Sequence, residues 1–136
     1  MSEASKALVR CYYEEVTGDL GGIDEVVTAD FVDHHFPPDT PAGPAGVRKF
    51  FIEFAGSVFS DMRIEIDFLL AEADKVDCHF VLHARHTGDF GDIPAKGNAI
   101  RLPAISTFRI ADGKLAEAWE IFDSGSLSQQ MQADPA

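Results

Sequence analysis

The sequence predicts an α+β fold, with helices first and a strongly coiled antiparallel sheet second. Apolar residues recur at three- and four-residue steps in the first half. They alternate at period two in the second half, and hairpin-sized turn signals separate the alternating rows. Leu8, Cys11, Tyr12 and Val16 mark the first helix face, and Gly18 stands where that helix would stop. Ile23, Val26 and Val27 predict a second helix ending near Thr28. Val47, Phe50, Phe51, Phe54 and Val58 predict the third, with Pro44 near its start, where a missing N–H costs nothing. Between the last two, Phe36 to Gly43 holds Pro37, Pro38 and Pro41 and reads as loop. Four rows follow: Ile64, Ile66, Phe68, Leu70; Val76, Cys78, Phe80, Leu82, Ala84, His86; Ile100, Leu102, Ala104, Ser106, Phe108, Ile110; and Leu115, Glu117, Trp119, Ile121, Asp123. Ala73-Asp74-Lys75 and Ala111-Asp112-Gly113-Lys114 are turn-sized, so neighbouring strands should run antiparallel. The expected architecture is a cone-shaped barrel: a curved, mostly antiparallel sheet wrapped on three N-terminal helices around a hollow.

At 136 residues and 46% hydrophobic content the chain is expected to form a single domain, 1–136, with a loose tail from Gln132 to Ala136. Eleven Lys and Arg against 23 Asp and Glu give a net charge of −12. Such a surface repels phosphate backbones and anionic lipid, so neither nucleic acid nor a membrane is an expected partner. No 18-residue apolar run appears, and the N-terminal stretch lacks a basic region followed by an apolar one. The plain reading is a small, acidic, cytoplasmic protein. Cys11 and Cys78 read as inert buried thiols, forming neither a disulfide framework nor a zinc site.

Period two also says which polar residues share a face with the core. Asp123 falls on the row of Trp119 and Ile121, and His86 on the row of Phe80 and Leu82. A carboxylate facing an apolar hollow loses hydration and its pKa rises, which suits it to take and return a proton near neutrality. A neighbouring imidazole could orient it or carry a second proton. The plainer readings are a turn cap for Asp123 and a strand-end residue bonded to backbone for His86. Glu117 shares the parity of Trp119 but reads more readily as a salt-bridge partner at the sheet edge. His79 and His83 have the opposite parity to His86 and should face outward, where a subunit interface could form. Two imidazoles without a third ligand do not make a metal site. In Asp33-His34-His35 the two adjacent histidines cannot both point inward from extended chain. One should look into the hollow and the other out. Tyr12, Tyr13, Phe36 and Trp119 read as core or pocket wall, and Phe54, Phe80, Ser106 and Phe108 are also expected to line the pocket. No glycine-rich phosphate loop, nucleophile elbow or Cys-x-x-Cys pair is present, so any reaction would rely on acid–base side chains and a shaped apolar cavity.

The order of several short strings resembles the SnoaL-like polyketide cyclase (ester cyclase) group of the nuclear transport factor two-like superfamily. They are Arg10 to Asp19, Asp30-Phe-Val-Asp-His34, Gly46 to Phe51, His86-Thr-Gly-Asp-Phe90 with Ile93-Pro-Ala-Lys-Gly97, Phe108 to Lys114, Glu117 to Asp123, and Leu127-Ser-Gln-Gln-Met131. The resemblance covers almost the whole chain. It implies a deep apolar pocket in a homodimer or larger homo-oligomer packed through the sheet. It also implies intramolecular aldol-type ring closure of a hydrophobic substrate, without metal or organic cofactor. Asp123 matches the family's base, and His34 and His86 match its polar pocket residues. Two departures stand out: Asp92 occupies a usual glycine position before Ile93-Pro94, and Ala118 replaces a frequent polar group. Ketosteroid isomerase shares the fold, but Cys11 and Ser106 stand where its strong donors should be, with His34 at the base position, which argues against that chemistry. The alternatives are a related isomerase, dehydratase or hydrolase, or a non-catalytic protein that binds a small molecule in the same cavity.

Overall fold

The structure, a computed structural model, describes residues 2–134. Helix α1 (Ser2–Val16) is followed by the single turn α2 (Ile23–Val26) and strand β1 (Val27–Asp33). A second helical stretch runs as α3 (Pro44–Arg48), a π-helical segment (Lys49–Ala55) and the short α4 (Gly56–Val58). Strands β2 (Phe59–Glu72), β3 (Lys75–His86), β4 (Ala99–Ala111) and β5 (Lys114–Phe122) then form a meander, closed by α5 (Ser124–Gln132). The sheet is five-stranded in the order β1-β5-β4-β3-β2. Its meander pairs are antiparallel, as expected, and β1 joins the far edge parallel to β5.

Helix α1 lies across the concave face. Val9, Tyr12, Tyr13 and Val16 are buried there, in one cluster with Val76, Cys78, Phe80, Phe108, Leu115 and Ala118. This face is turned from the one the sequence suggested, and Cys11 is exposed rather than buried. Cys78 is buried as expected, and burial pushes its thiol up to about 12, which keeps it inert.

The rows on β3 and β4 face the core as predicted, and their pairing runs without a shift from Lys75↔Arg109 to Arg85↔Ala99. On β2 and β5 the rows change face midway. The β2–β3 register shifts between Ile66 and Phe68, so Leu69 is buried while Phe68 and Leu70 are exposed. On β5, Arg109 pairs with Glu117 but Ile110 pairs with Leu115, which leaves an extra residue at Ala116. A one-residue bulge moves every later side chain to the other face. Leu115 is therefore in the core, but the inward row beyond it is Ala118, Glu120 and Phe122, not Trp119 and Ile121.

Strand β1 replaces part of the expected second helix and the loop after it. Its burial does not alternate cleanly, so period two did not reveal it. Gly43 ends the proline loop at φ 79°, its N–H bonded to Phe31 O, and a Cβ there would fall 2.4 Å from Ala29 O. Only glycine lets the loop return this close to β1. The C-terminal segment is less loose than expected: Gln132 ends α5, Lys96 Nζ donates to Gln132 O, and Asn98 Nδ2 donates to Ala133 O. Residues 135–136 of the predicted tail lie outside the described residues.

Candidate active site

The open mouth of the cone holds a cavity of about 470 Å³. Phe50, Phe51, Phe54 and Ala55 reach it from the π-helical segment, whose wider turn gathers these side chains on one side. Phe59, Ile64, Phe80, Leu82, Leu102 and Phe122 come from the sheet, and Phe90 from the loop between β3 and β4. That loop closes on a tight turn in which Phe90 and Ile93 exchange backbone hydrogen bonds around Gly91-Asp92, so Asp92 is accommodated at the turn's tip. Against this apolar wall stand Tyr13, His35 and Glu120.

Glu120 reaches the hollow because it follows the β5 bulge by an even count along the inward row. It lies opposite Ser106 on β4. Tyr13 O–H donates to Ser106 Oγ at 2.9 Å, and Ser106 O–H donates to Glu120 Oε1 at 3.1 Å. Glu120 Oε2 is 3.3 Å from His35 Nε2. On its other side His35 places Nδ1 2.7 Å from Asp33 Oδ1, which also accepts the His35 backbone N–H at 3.1 Å. Phe31 and Asp33 share the buried side of β1, and the turn that follows, closed by the Phe36 N–H on Asp33 O at 3.1 Å, brings the His35 ring back onto Asp33. The Asp33 carboxylate holds a hydrogen on Nδ1 and turns Nε2 toward Glu120.

Burial raises the Glu120 pKa and the charge of Asp33 adds to it; His35 and the Ser106 hydrogen bond offset part of the rise. Burial works against protonation of His35, but the Asp33 hydrogen bond and the charges of Glu120 and Asp33 outweigh it, and its pKa is raised. The pair therefore holds protons to higher pH than either group would in water.

The site residues expected from sequence are distributed otherwise. Asp123 is exposed and its side chain accepts the Ser126 N–H at 2.9 Å, capping α5, because the β5 bulge and the end of the strand at Phe122 turn it away from the cavity. His34 points outward: its Nε2 is 2.6 Å from Glu117 Oε2, and its ring stacks on Trp119 at 5.3 Å. Glu117 also accepts Arg109 Nε at 2.8 Å, the salt bridge its position suggested. Trp119 thus lies on the outer face, not on the pocket wall. His86 faces inward as its row predicts, yet it is sealed in the interior beside Phe59, outside the cavity lining. Tyr12 and Phe108 belong to the packed core behind the cavity rather than to its wall, being stacked edge-on at 5.2 Å. Phe36, Phe54 and Phe80 do line it, and Ser106 joins it through Glu120. The Tyr12 hydroxyl and both His86 ring nitrogens have no hydrogen-bond partner among the described residues. His79 and His83 face outward, stacked on Phe68 and paired with Glu65 respectively.

Sequence reasoning did not pick out Glu120 or Asp33, and it left open which of His34 and His35 faces the hollow. A signal for the first was present: Leu115-Ala116 are adjacent apolar residues, a place where alternation can slip. Among the described residues no group of three His, Cys, Asp or Glu side chains could hold a metal, and no helix is long and apolar enough to cross a membrane.

The SnoaL-like polyketide cyclase model matches residues 6–131, so the chain belongs to that family. TsrD from Streptomyces laurentii has the same fold, with a TM-score of 0.85 at 24% identity over 96% of each chain. A Bacillus cereus protein provisionally described as a polyketide cyclase gives 0.76 at 27% identity, covering 97% of this chain and 83% of its own. AclR from Streptomyces galilaeus, provisionally described as a hydroxylase, gives 0.75 at 26% identity over 100% of this chain and 85% of its own. A comparison with curated proteins finds no match.

Proposed function

We propose that this protein catalyses cofactor-free proton abstraction next to a carbonyl, of the aldol-cyclising kind, on an uncharged hydrophobic small molecule bound in the cone. One observation carries the reading. The carboxylate of Glu120, desolvated and touching His35, closes the inner end of a cavity otherwise walled by phenylalanine and aliphatic side chains. In the reaction Glu120 Oε2 takes the α-proton and the substrate becomes an enolate. The enolate carbon then attacks a second carbonyl of the same molecule, forming the C–C bond, and the new alkoxide takes the proton back. His35, held by Asp33, shares the proton in transit. The apolar wall folds the chain of the substrate and excludes water, which holds the two reacting carbons of the one molecule near each other. An aryl β-keto ester in deuterated buffer provides the test, since proton abstraction appears as loss of its α-proton signal. Exchange faster than in buffer alone, and lost in Glu120→Gln, supports the reading. Binding of the ester without exchange would instead favour a sequestering protein.

We also propose a second copy of this chain as the partner of the outer sheet face. Phe68, His79, Ile105 and Ile121 stand opposite one another in a single row across four strands. Phe68, Ile105 and Ile121 are 48%, 40% and 76% exposed. The row is flanked on the same face by Glu65–His83 and by Arg109–Glu117–His34, charges of both signs that suit a two-fold, self-complementary contact.

A further inference from the structure

At the polar end of the cavity, Glu120 is backed by two hydroxyls that the proton transfer above does not use. Tyr13 comes from α1 and Ser106 from β4, and both are buried, at 6% and 2% exposure. Each hydroxyl has one hydrogen to give. Tyr13 gives its hydrogen to Ser106, and Ser106 gives its own to Glu120 Oε1, so the chain of donors runs one way and ends on the carboxylate. The tyrosine ring cannot swing off this line. It is held edge-on to Tyr12 at 5.3 Å and to Phe108 at 6.0 Å, and it lies against Phe80 at 5.1 Å. The two oxygens of Glu120 are thereby made unequal: Oε1 is an acceptor engaged by Ser106, while Oε2 lies on the His35 side.

We propose that Tyr13 and Ser106 are positioning residues that reserve Oε2 of Glu120 for the substrate proton and hold the carboxylate in its proton-accepting form. This rests on Glu120 being the base. A hydrogen bond donated to a carboxylate favours its charged form, and a hydroxyl that itself receives a hydrogen bond is the better donor. Removing Ser106 leaves Glu120 with less to oppose its burial. Removing only the Tyr13 hydroxyl weakens the Ser106 donor at one remove, so its effect has the same sign and is smaller.

The experiment follows the Glu120 carboxyl by carbon NMR in protein labelled at glutamate, with Glu120→Gln to assign the signal, beside the pH profile of α-proton exchange. In Ser106→Ala the titration moves up by about one pH unit, and the acid limb of the rate profile moves with it. In Tyr13→Phe, which keeps the ring and its packing, both move up by roughly a third of that. Ser106→Thr, which keeps the hydroxyl, returns both toward the wild-type position. An unmoved titration in Ser106→Ala and Tyr13→Phe overturns the proposal. A titration that moves while the rate profile stays fixed shows that Glu120 is not the base, and overturns the relay's part in turnover for that separate reason.

Discussion

His34 and His35 are neighbours in sequence, and each has a ring nitrogen within 2.7 Å of a carboxylate oxygen. Their partners are similar too. Glu117 and Glu120 lie on the same strand, one reaching each histidine. Both lie in the turn that follows β1, yet they meet opposite faces of the sheet, and what surrounds them differs. Outside, Glu117 is met by Arg109 and then His34, and these hydrogen bonds hold its pKa below the ordinary carboxyl value. Inside, Glu120 is desolvated, no arginine or lysine among the described residues lines its cavity, and its pKa rises. The same residue types make a surface salt bridge on one side and a proton-handling pair on the other. Solvent and the nearest cation decide which, rather than the histidine–carboxylate contact itself.

The sharpest way to break this comparison is to neutralise each glutamate in turn. Glu120→Gln should slow α-proton exchange by at least about 100-fold, the scale of a lost general base, whereas Glu117→Gln should leave it within about threefold. Comparable losses in both would end the distinction between the faces. A second test concerns the imidazoles. His35→Gln should slow exchange by about tenfold or more and alter its pH profile, and His34→Gln should do neither. Asp123, exposed at the start of α5, sharpens the boundary of the site. Asp123→Ala should cost about 1 kcal/mol of stability through the lost cap while leaving exchange within about twofold.

Stability against pH provides a quieter test. Glu120 and His35 both have raised pKa values, so the folded chain binds more protons than the unfolded one. The window opens near the ordinary carboxyl value of 4.5 and runs past the imidazole value of 6.5. Their contribution therefore favours folding at the lower end and is lost as pH rises through the window. Denaturant titrations should show that decline flattened in Glu120→Gln and retained in Glu117→Gln. For the outer face, Ile105→Glu with Ile121→Glu should shift the sedimenting species from dimer to monomer without loss of exchange. A wild-type monomer at micromolar concentration would remove the second copy from the account.

How far the sequence foretold this arrangement depended on the regularity of the ladder. The rows of β3 and β4 were legible because their pairing is unbroken, and Phe80 and Ser106 were found with them. Two bulges defeated the same rule on β2 and β5. The second one moved attention from Glu120 to Asp123, since parity counted from Leu115 fails once Ala116 is extra. The family strings could not repair this, because they mark where residues fall in the chain and not which face they meet. That one of His34 and His35 faces in was readable, although the two sit in a turn rather than in extended chain. Which one does follows from β1 pairing parallel with β5, a long-range contact that no local pattern contains.

The central claim is that one carboxyl inside the cone keeps its proton where exposed carboxyls have lost theirs. Infrared difference spectroscopy across a pH step from about 5 to about 8 reads this directly, through the carbonyl stretch of a protonated acid. A band that persists above the ordinary carboxyl range, vanishes in Glu120→Gln and survives in Glu117→Gln is the predicted result. Its absence from the wild-type protein, or its survival in Glu120→Gln, would contradict the account.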